Sequence, residues 1–226
     1  MRSSSILFFH FVCACVFPSF CLFIPFPGSP LPSSPYWFDP RIHVLGNDGV
    51  WGGIHAAVAP AVTRLIDVTA YGGKDIRSDL LDSIPSSWSV VDFCCGTGSS
   101  TRRGGKGVDT SPQMVGMAKL VCPGSSFEVG NAEEWGETKS YDVSTIMFGM
   151  HEMPEEGRRR VLENASRVAR KYVVVVDIDS SYSPSESMLS GEPFVLDYLS
   201  KVEEELSSSL KVPLVQDRAS AWILRL

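Results

Sequence analysis

The stretch VVDFCCGTG, Val90–Gly98, decides the fold of this chain. The apolar residues at its start predict a buried strand, and the glycines at positions 96 and 98 predict a sharp turn directly after that strand. Another group can approach the backbone of such a turn closely, because glycine carries no side chain. The stretch therefore predicts a strand that ends in a ligand-binding loop.

A second acidic residue ends the next apolar stretch. Asp109 lies in KGVDTSPQM, shortly before Ser111 and Pro112. In doubly wound folds an acid at this place hydrogen-bonds the hydroxyls of a bound ribose, although an aspartate here can also cap the following helix. We expect the two loops to meet in one crevice that binds a nucleoside.

Apolar strands alternate with helices along the rest of the chain, which predicts a mostly parallel, doubly wound α/β sheet. The end of the chain, VPLVQDRASAWILRL, predicts two antiparallel strands joined by a tight turn at residues 216–218. The predicted parallel strands are Ser89–Phe93, Gly107–Val108, Ser126–Val129, Val143–Phe148 and Tyr172–Ile178. The predicted helices are Ile54–Val68, Pro112–Leu120, Pro154–Arg170 and Pro193–Leu210.

The predicted helix that begins at Pro154 carries an apolar stripe with Val161 and Ala165. Four arginines fall mostly outside this stripe, which favours a solvated face over an anion-binding surface. These arginines are Arg158, Arg159, Arg160 and Arg167.

The ordered motifs resemble the class I S-adenosylmethionine-dependent methyltransferases, especially small-molecule enzymes of types 11 and 25. The first motif of those enzymes reads acid, two variable residues, then CGTG. The resemblance runs from about Ser89 to Asp179 and extends more weakly to the C-terminus. It implies S-adenosyl-L-methionine as the cofactor and a sheet with a C-terminal antiparallel hairpin. Cys94 stands where the family has its first glycine.

The resemblance also implies a role for each motif. The loop after the first strand would approach the methionine end of the cofactor, with Asp92 near its amino group. Asp109 would bind the ribose, and GNAEEW, Gly130–Trp135, would contact the adenine. The implied cofactor-binding residues are Asp92, Cys94, Cys95, Gly96, Thr97, Gly98, Asp109, Thr110, Asn131, Ala132 and Phe148.

The stretch YDVSTIMFGMHEMP, Tyr141–Pro154, resembles the fourth strand and the loop that faces the substrate. His151 is the predicted general base because an imidazole has a pKa of about 6.5, while Glu152 would orient His151 or bind substrate. The alternative is that His151 caps the next helix or lines a polar wall. No cysteine and histidine spacing predicts a metal site. Four residues suggest an apolar wall or ordinary core: Met147, Phe148, Met150 and Met153.

The first crossover is short. Only SSTRRGG, residues 99–105, separates Gly98 from Lys106. The family has a helix of several turns there, and a parallel crossover usually needs about ten to twelve residues or more. We therefore expect an abbreviated first crossover helix, either because an irregular segment bridges the strands or because the sequence lacks a piece.

The leading hypothesis is a methyltransferase that acts on a small, lipophilic metabolite. One alternative is a degenerate methyltransferase fold that serves as a non-catalytic binding or partner protein. The other is an NAD(P)-dependent oxidoreductase, whose fingerprint needs a third glycine where this chain has Thr101.

The N-terminus differs in composition from the rest. Residues 1–26 contain the apolar run Ile6–Phe26 and resemble a targeting or signal leader, and residues 27–35 form a Pro/Ser linker. We expect the methyltransferase domain to span residues 36–226, with an N-terminal cap region at 36–87 and a Rossmann-like core at 88–226.

Charge and cysteine content limit the partners. The 226 residues carry a net charge of −6, which argues against nucleic acid and favours a small-molecule substrate. Cys94, Cys95 and Cys122 do not form a disulfide pattern, so we expect a reducing compartment. A targeting leader combined with a reduced domain favours targeting through the secretory route or to a plastid-like organelle. We expect membrane contact only through the leader. The oligomeric state stays open.

Overall fold

The computed structural model of the chain describes residues 35–39, 42 and 49–226. Pro35–Leu226 form one compact unit. The predicted leader and the linker, apart from Pro35, lie outside the described residues. Among the helices that are described, none combines the length and the apolar character that a membrane span requires.

Seven strands form one sheet in the order β3-β2-β1-β4-β5-β7-β6. The first five strands pair in parallel, and β7 pairs antiparallel with both β5 and β6. The predicted doubly wound sheet with a C-terminal hairpin is therefore confirmed. The strands are β1 Val90–Phe93, β2 Lys106–Asp109, β3 Ser126–Val129, β4 Tyr141–Met147, β5 Ala169–Ile178, β6 Leu210–Val215 and β7 Ala219–Arg225.

Six α-helices and two short 3-10 helices surround the sheet within the described part of the chain. The helices are α1 Gly49–Thr69, α2 Ile76–Ser83, α3 Pro112–Val121, α4 Glu155–Val168, α5 Glu186–Gly191 and α6 Val195–Glu205. The 3-10 helices are Tyr36–Phe38 and Met150–Glu152. Four of the α-helices correspond to predicted ones, whereas α2 and α5 are short and their polar sequences gave no helical signal.

The apolar runs of the central strands are buried on both faces of the sheet. Val91 and Phe93 of β1 and Val173 and Val175 of β5 belong to a core that α4 and α6 cover. Residues of the opposite parity, such as Val174, pack against a second core on the other face. Burial of both faces is what the continuous apolar runs predict for parallel strands.

The first crossover contains no helix, and an irregular segment bridges the two strands, which is one of the two alternatives that the short spacing left open. Residues 94–105 connect β1 to β2 through successive turns. The amide N–H of Gly98 donates to the carbonyl of Cys95 at 2.8 Å, and that of Thr101 donates to the carbonyl of Gly98 at 3.1 Å. The segment nevertheless allows β1 and β2 to pair in parallel, with Val91 opposite Lys106.

The solvated face predicted for the arginines of α4 is wrong for Arg158. Its side chain is completely buried, and its guanidinium binds the carboxylates of Glu205 and Asp197 on α6. Arg158 precedes Val161 by three positions and Ala165 by seven, so it lies on the same inward face of the helix. Two carboxylates balance its charge, which permits its burial.

Candidate functional site

A cleft opens beyond the carboxyl ends of the parallel strands, where ligands bind in open α/β sheets. The lining residues are Tyr36, Trp37, Ile42, Cys94, Asp109, Thr110, Gly130, Asn131, Ala132, Gly149, Glu152, Met153 and Val161.

The loop after β1 takes a backbone conformation that suits glycine. Cys94 has a φ of 59°, Gly96 one of 51° and Gly98 one of 87°, all in the left-handed region. A side chain is disfavoured there, so Cys94 pays a conformational cost that a glycine avoids. A Cβ on Gly149 would lie 3.0 Å from the Cβ of Cys94, so the loops after β1 and β4 touch at this point.

Asp109 links two loops at the floor of the cleft. Its Oδ2 accepts the amide N–H of Gly96 at 2.9 Å, and its Oδ1 accepts that of Ser111 at 2.9 Å. The hydroxyl of Ser111, rather than Asp109, caps α3 by accepting the amide N–H of Met114 at 3.2 Å. The carboxylate therefore lies in the crevice where the sequence predicts a ribose acid, next to Thr110.

The GNAEEW loop forms a tight turn beside Asp109. The Oδ1 of Asn131 accepts the amide N–H of Glu133 at 3.0 Å, and the carbonyl of Ala132 accepts the side-chain N–H of Asn164 at 2.8 Å. A Cβ on Gly130 would lie 2.6 Å from the ring of Trp135, so this motif needs its glycine. Asn131 and Ala132 both line the cleft, as their predicted role requires.

Asp92 lies behind the loop rather than in the lining. Its carboxylate is completely buried and accepts the hydroxyls of Ser100 and Thr101 at 2.8 Å and that of Thr145 at 2.9 Å. Burial raises the pKa of Asp92 to about 6, although these hydrogen bonds oppose the rise. Asp92 thus ties the first crossover to β4, and contact with the cofactor stays a prediction.

Five more predicted cofactor residues do not line the cleft: Cys95, Gly96, Thr97, Gly98 and Phe148. Cys95 and Thr97 are buried, and Gly98 is packed so closely that its Cβ would meet the Phe127 ring at 2.9 Å. Phe148 has a φ of 59°, and its ring stacks on Tyr71 with centroids 6.0 Å apart. The side chain of Phe148 therefore packs against the N-terminal region instead of facing the cleft.

His151 and Glu152 lie in the 3-10 helix after β4. Glu152 lines the cleft, while His151 is 8 % exposed and places its Nδ1 2.6 Å from Oδ1 of Asp177. Burial disfavours the charged imidazole, but the charge and hydrogen bond of Asp177 outweigh it and raise the pKa of His151 to about 9. His151 therefore carries its proton at neutral pH.

Sequence reasoning missed several groups at this site. Tyr36 and Trp37 line the cleft from the N-terminal region, and a Cβ on Gly157 would lie 2.8 Å from the Tyr36 ring. Asp177 is completely buried and also accepts the amide N–H of Met150 at 2.8 Å. The acidic residue that interrupts the apolar run of β5 was the available signal for Asp177.

Comparisons with known proteins agree with this architecture. A family model described as a methyltransferase domain matches residues 90–172. An uncharacterized methyltransferase of Synechocystis sp. is 27% identical over 130 residues, which cover 53% of this chain and 61% of that protein. The chain thus spans about three fifths of the length of this curated relative.

Two solved structures share the fold. A SAM-dependent methyltransferase from Aquifex aeolicus superposes with a TM-score of 0.55 and 14% identity, covering 75% of this chain and 97% of that one. A TehB-like SAM-dependent methyltransferase from Corynebacterium glutamicum gives a TM-score of 0.52 and 18% identity, covering 76% and 99%. Residues 90–172 are therefore similar to a methyltransferase domain, and the sheet has the fold that these two structures share.

Proposed function

We propose that the protein binds S-adenosylmethionine and transfers its methyl group to a small molecule. One observation carries the proposal: Cys94, Asp109 and Asn131 lie at or just beyond the carboxyl ends of three different strands and line one cleft. These residues belong to the three motifs whose order resembles the family. The hydrogen bond between Gly96 and Asp109 joins two of the loops, so they act as one binding surface.

The motifs give the cofactor a direction in the cleft. We assign the adenine to Asn131 and Ala132, the ribose hydroxyls to Asp109, and the methionine end to the loop at Cys94. Each carboxylate oxygen of Asp109 accepts a backbone N–H group, and these two hydrogen bonds hold the side chain in place. Each oxygen has more than one lone-pair direction, so Asp109 can also accept a ribose hydroxyl.

The acceptor would enter beside Glu152 and Met153, next to the loop at Cys94. Methyl transfer requires chiefly that the acceptor atom be held in line with the sulfonium methyl group and that it lose its proton where it has one. Glu152 presents a carboxylate to the cleft. The base role predicted for His151 requires it to lose its own proton first, because its pKa is about 9.

The predicted apolar wall is smaller than the sequence suggests. Met153 lines the cleft, whereas Met147 and Met150 are core residues and Phe148 packs elsewhere. Trp37 supplies a further apolar surface. We therefore propose a small acceptor with an apolar part against Trp37 and Met153 and a polar group near Glu152.

Calorimetric titration of the full chain tests this proposal. We expect one molecule of S-adenosylmethionine to bind per chain, and neither NAD nor NADP to compete with it. A chain that gives no heat with S-adenosylmethionine at high micromolar concentration would contradict the proposal. Binding of a nicotinamide dinucleotide instead would favour the oxidoreductase alternative.

A further inference from the structure

Three side chains suited to a divalent cation meet at the acceptor end of the cleft. His151, Glu152 and Glu192 each offer a ligand atom, and these atoms all lie within 4.8 Å of one another. His151 and Glu152 belong to the 3-10 helix after β4, whereas Glu192 is the C-cap residue that follows α5. The cluster therefore depends on the folded chain and not on a local run of acidic residues.

The orientation of His151 points independently to a ligand. Asp177 is completely buried and holds the imidazole through Nδ1 at 2.6 Å, and it also accepts the amide N–H of Met150. The ring nitrogen left to face the glutamates is Nε2. His151 is more than nine-tenths buried, and no described residue forms a hydrogen bond with Nε2. A metal-binding histidine typically donates its other ring N–H to a carboxylate in this way.

We propose that a divalent transition metal, Mn²⁺ or Zn²⁺, displaces the proton on Nε2 of His151 to solvent and binds this nitrogen together with the carboxylates of Glu152 and Glu192. One imidazole with two carboxylates suits these ions, whereas Mg²⁺ prefers an all-oxygen set. Metal–ligand bonds of about 2.0–2.2 Å place neighbouring ligand atoms about 3–4 Å apart. The three ligand atoms already lie within 4.8 Å of one another, close to that spacing.

The proposed site has open coordination positions. Three protein ligands are typical of catalytic metal sites, which keep a place for water or substrate. Glu152 lines the cleft, so the open side of the metal faces the acceptor. The site revises the expectation of no metal, because that expectation came from cysteine and histidine spacing, and Glu192 is distant from His151 in sequence.

Titration of the full chain with MnCl₂, followed by the electron paramagnetic resonance signal of free Mn²⁺, tests the site. We expect one Mn²⁺ per chain. Glu192→Gln should weaken binding by about tenfold or more. Glu186→Gln is the matched control, because Glu186 is an exposed glutamate of the same helix and loses the same charge. This control should bind Mn²⁺ as the wild type does.

A second variant guards against a folding defect. Glu152→Gln should weaken Mn²⁺ binding to a similar degree, and circular dichroism should show the wild-type fold in each variant. No stoichiometric Mn²⁺ binding by the wild type would overturn the site, as would equal binding by the wild type and both variants. The readout is metal binding alone, so its failure leaves the titration with S-adenosylmethionine unaffected.

Discussion

The two ends of the cleft are built by different means. At the cofactor end, Gly96 and Gly98 take positive φ angles and backbone N–H groups bind the carboxylate of Asp109. At the acceptor end, the buried charges of Arg158 and Asp177 hold the segment that carries His151 and Glu152. The cofactor end therefore depends on backbone shape, and the acceptor end on compensated charge.

This difference explains how the cofactor end can form without the first crossover helix. Turns within residues 94–105 fix the loop after β1 locally, and so do the hydroxyls of Ser100 and Thr101, which donate hydrogen bonds to Asp92. The acceptor end needs distant partners, because Arg158 joins the carbonyl of Met153 to Glu205 on α6. The two ends should respond to different substitutions.

The largest effect should come from Arg158→Ala. The substitution leaves Glu205 and Asp197 without their buried cation and the Met153 carbonyl without its donor. Loss of one partner of a fully buried ion pair costs about 3–5 kcal/mol, and the partial exposure of Asp197 and Glu205 places the expected cost at the lower end, about 3 kcal/mol. Urea unfolding should show a decrease of this size in the free energy of unfolding.

Arg159→Ala is the matched control for Arg158→Ala. Arg159 is the next residue of α4 and pairs with Glu156 and Glu163, but its side chain is 53% exposed. Exposed ion pairs contribute about 0–1 kcal/mol. Equal losses in the two variants would show that the buried network does not stabilise the acceptor end.

Gly98→Ala should have the next largest effect. Its Cβ would lie 2.9 Å from the Phe127 ring, and its φ of 87° is unfavourable for alanine. The left-handed conformation costs about 1–2 kcal/mol, and overpacking adds about 1–3 kcal/mol. We expect lower stability by urea unfolding and weaker binding of S-adenosylmethionine by calorimetry.

Gly104→Ala separates these two costs. Gly104 has a φ of 79°, but a Cβ there would meet nothing within 4 Å. This variant should lose only the conformational cost of about 1–2 kcal/mol. If both glycine variants lose the same stability, close packing at Gly98 is not what shapes the loop.

Asp109→Ala should weaken the binding of S-adenosylmethionine by about 1–3 kcal/mol, because charge-assisted hydrogen bonds are lost. Calorimetric titration measures this change, and Asp82→Ala, which alters an exposed aspartate of α2, serves as the control. Unchanged affinity in Asp109→Ala would refute the assignment of the ribose to Asp109.

Asp92→Asn should have the smallest of these effects, which is a change in how the free energy of unfolding depends on pH. The folded pKa of about 6 lies above the unfolded value of 3.8, so ionisation of Asp92 costs stability as pH rises through this window. Between about pH 4.5 and 7 the wild type should lose about 2 kcal/mol relative to the variant. If the unfolding free energies of the wild type and of Asp92→Asn change in parallel with pH across this range, Asp92 does not ionise as a buried carboxylate.

The sheet could be predicted from sequence because its strands are apolar runs bounded by turns, and the terminal hairpin because its turn is polar. Phe148 could not be placed, because its positive φ at the end of β4 redirects the chain. Arg158 was misjudged because charge alone suggests exposure. The partners that bury it, Asp197 and Glu205, lie on a helix distant in sequence.

The most direct test of the account is a crystal structure of the full chain with S-adenosylhomocysteine. We predict that the ribose hydroxyls lie within hydrogen-bonding distance of Asp109, with the adenine beside Asn131 and the homocysteine end at Cys94. A ligand bound elsewhere, or in the cleft with its ribose away from Asp109, would contradict the central claim that this cleft is a cofactor site.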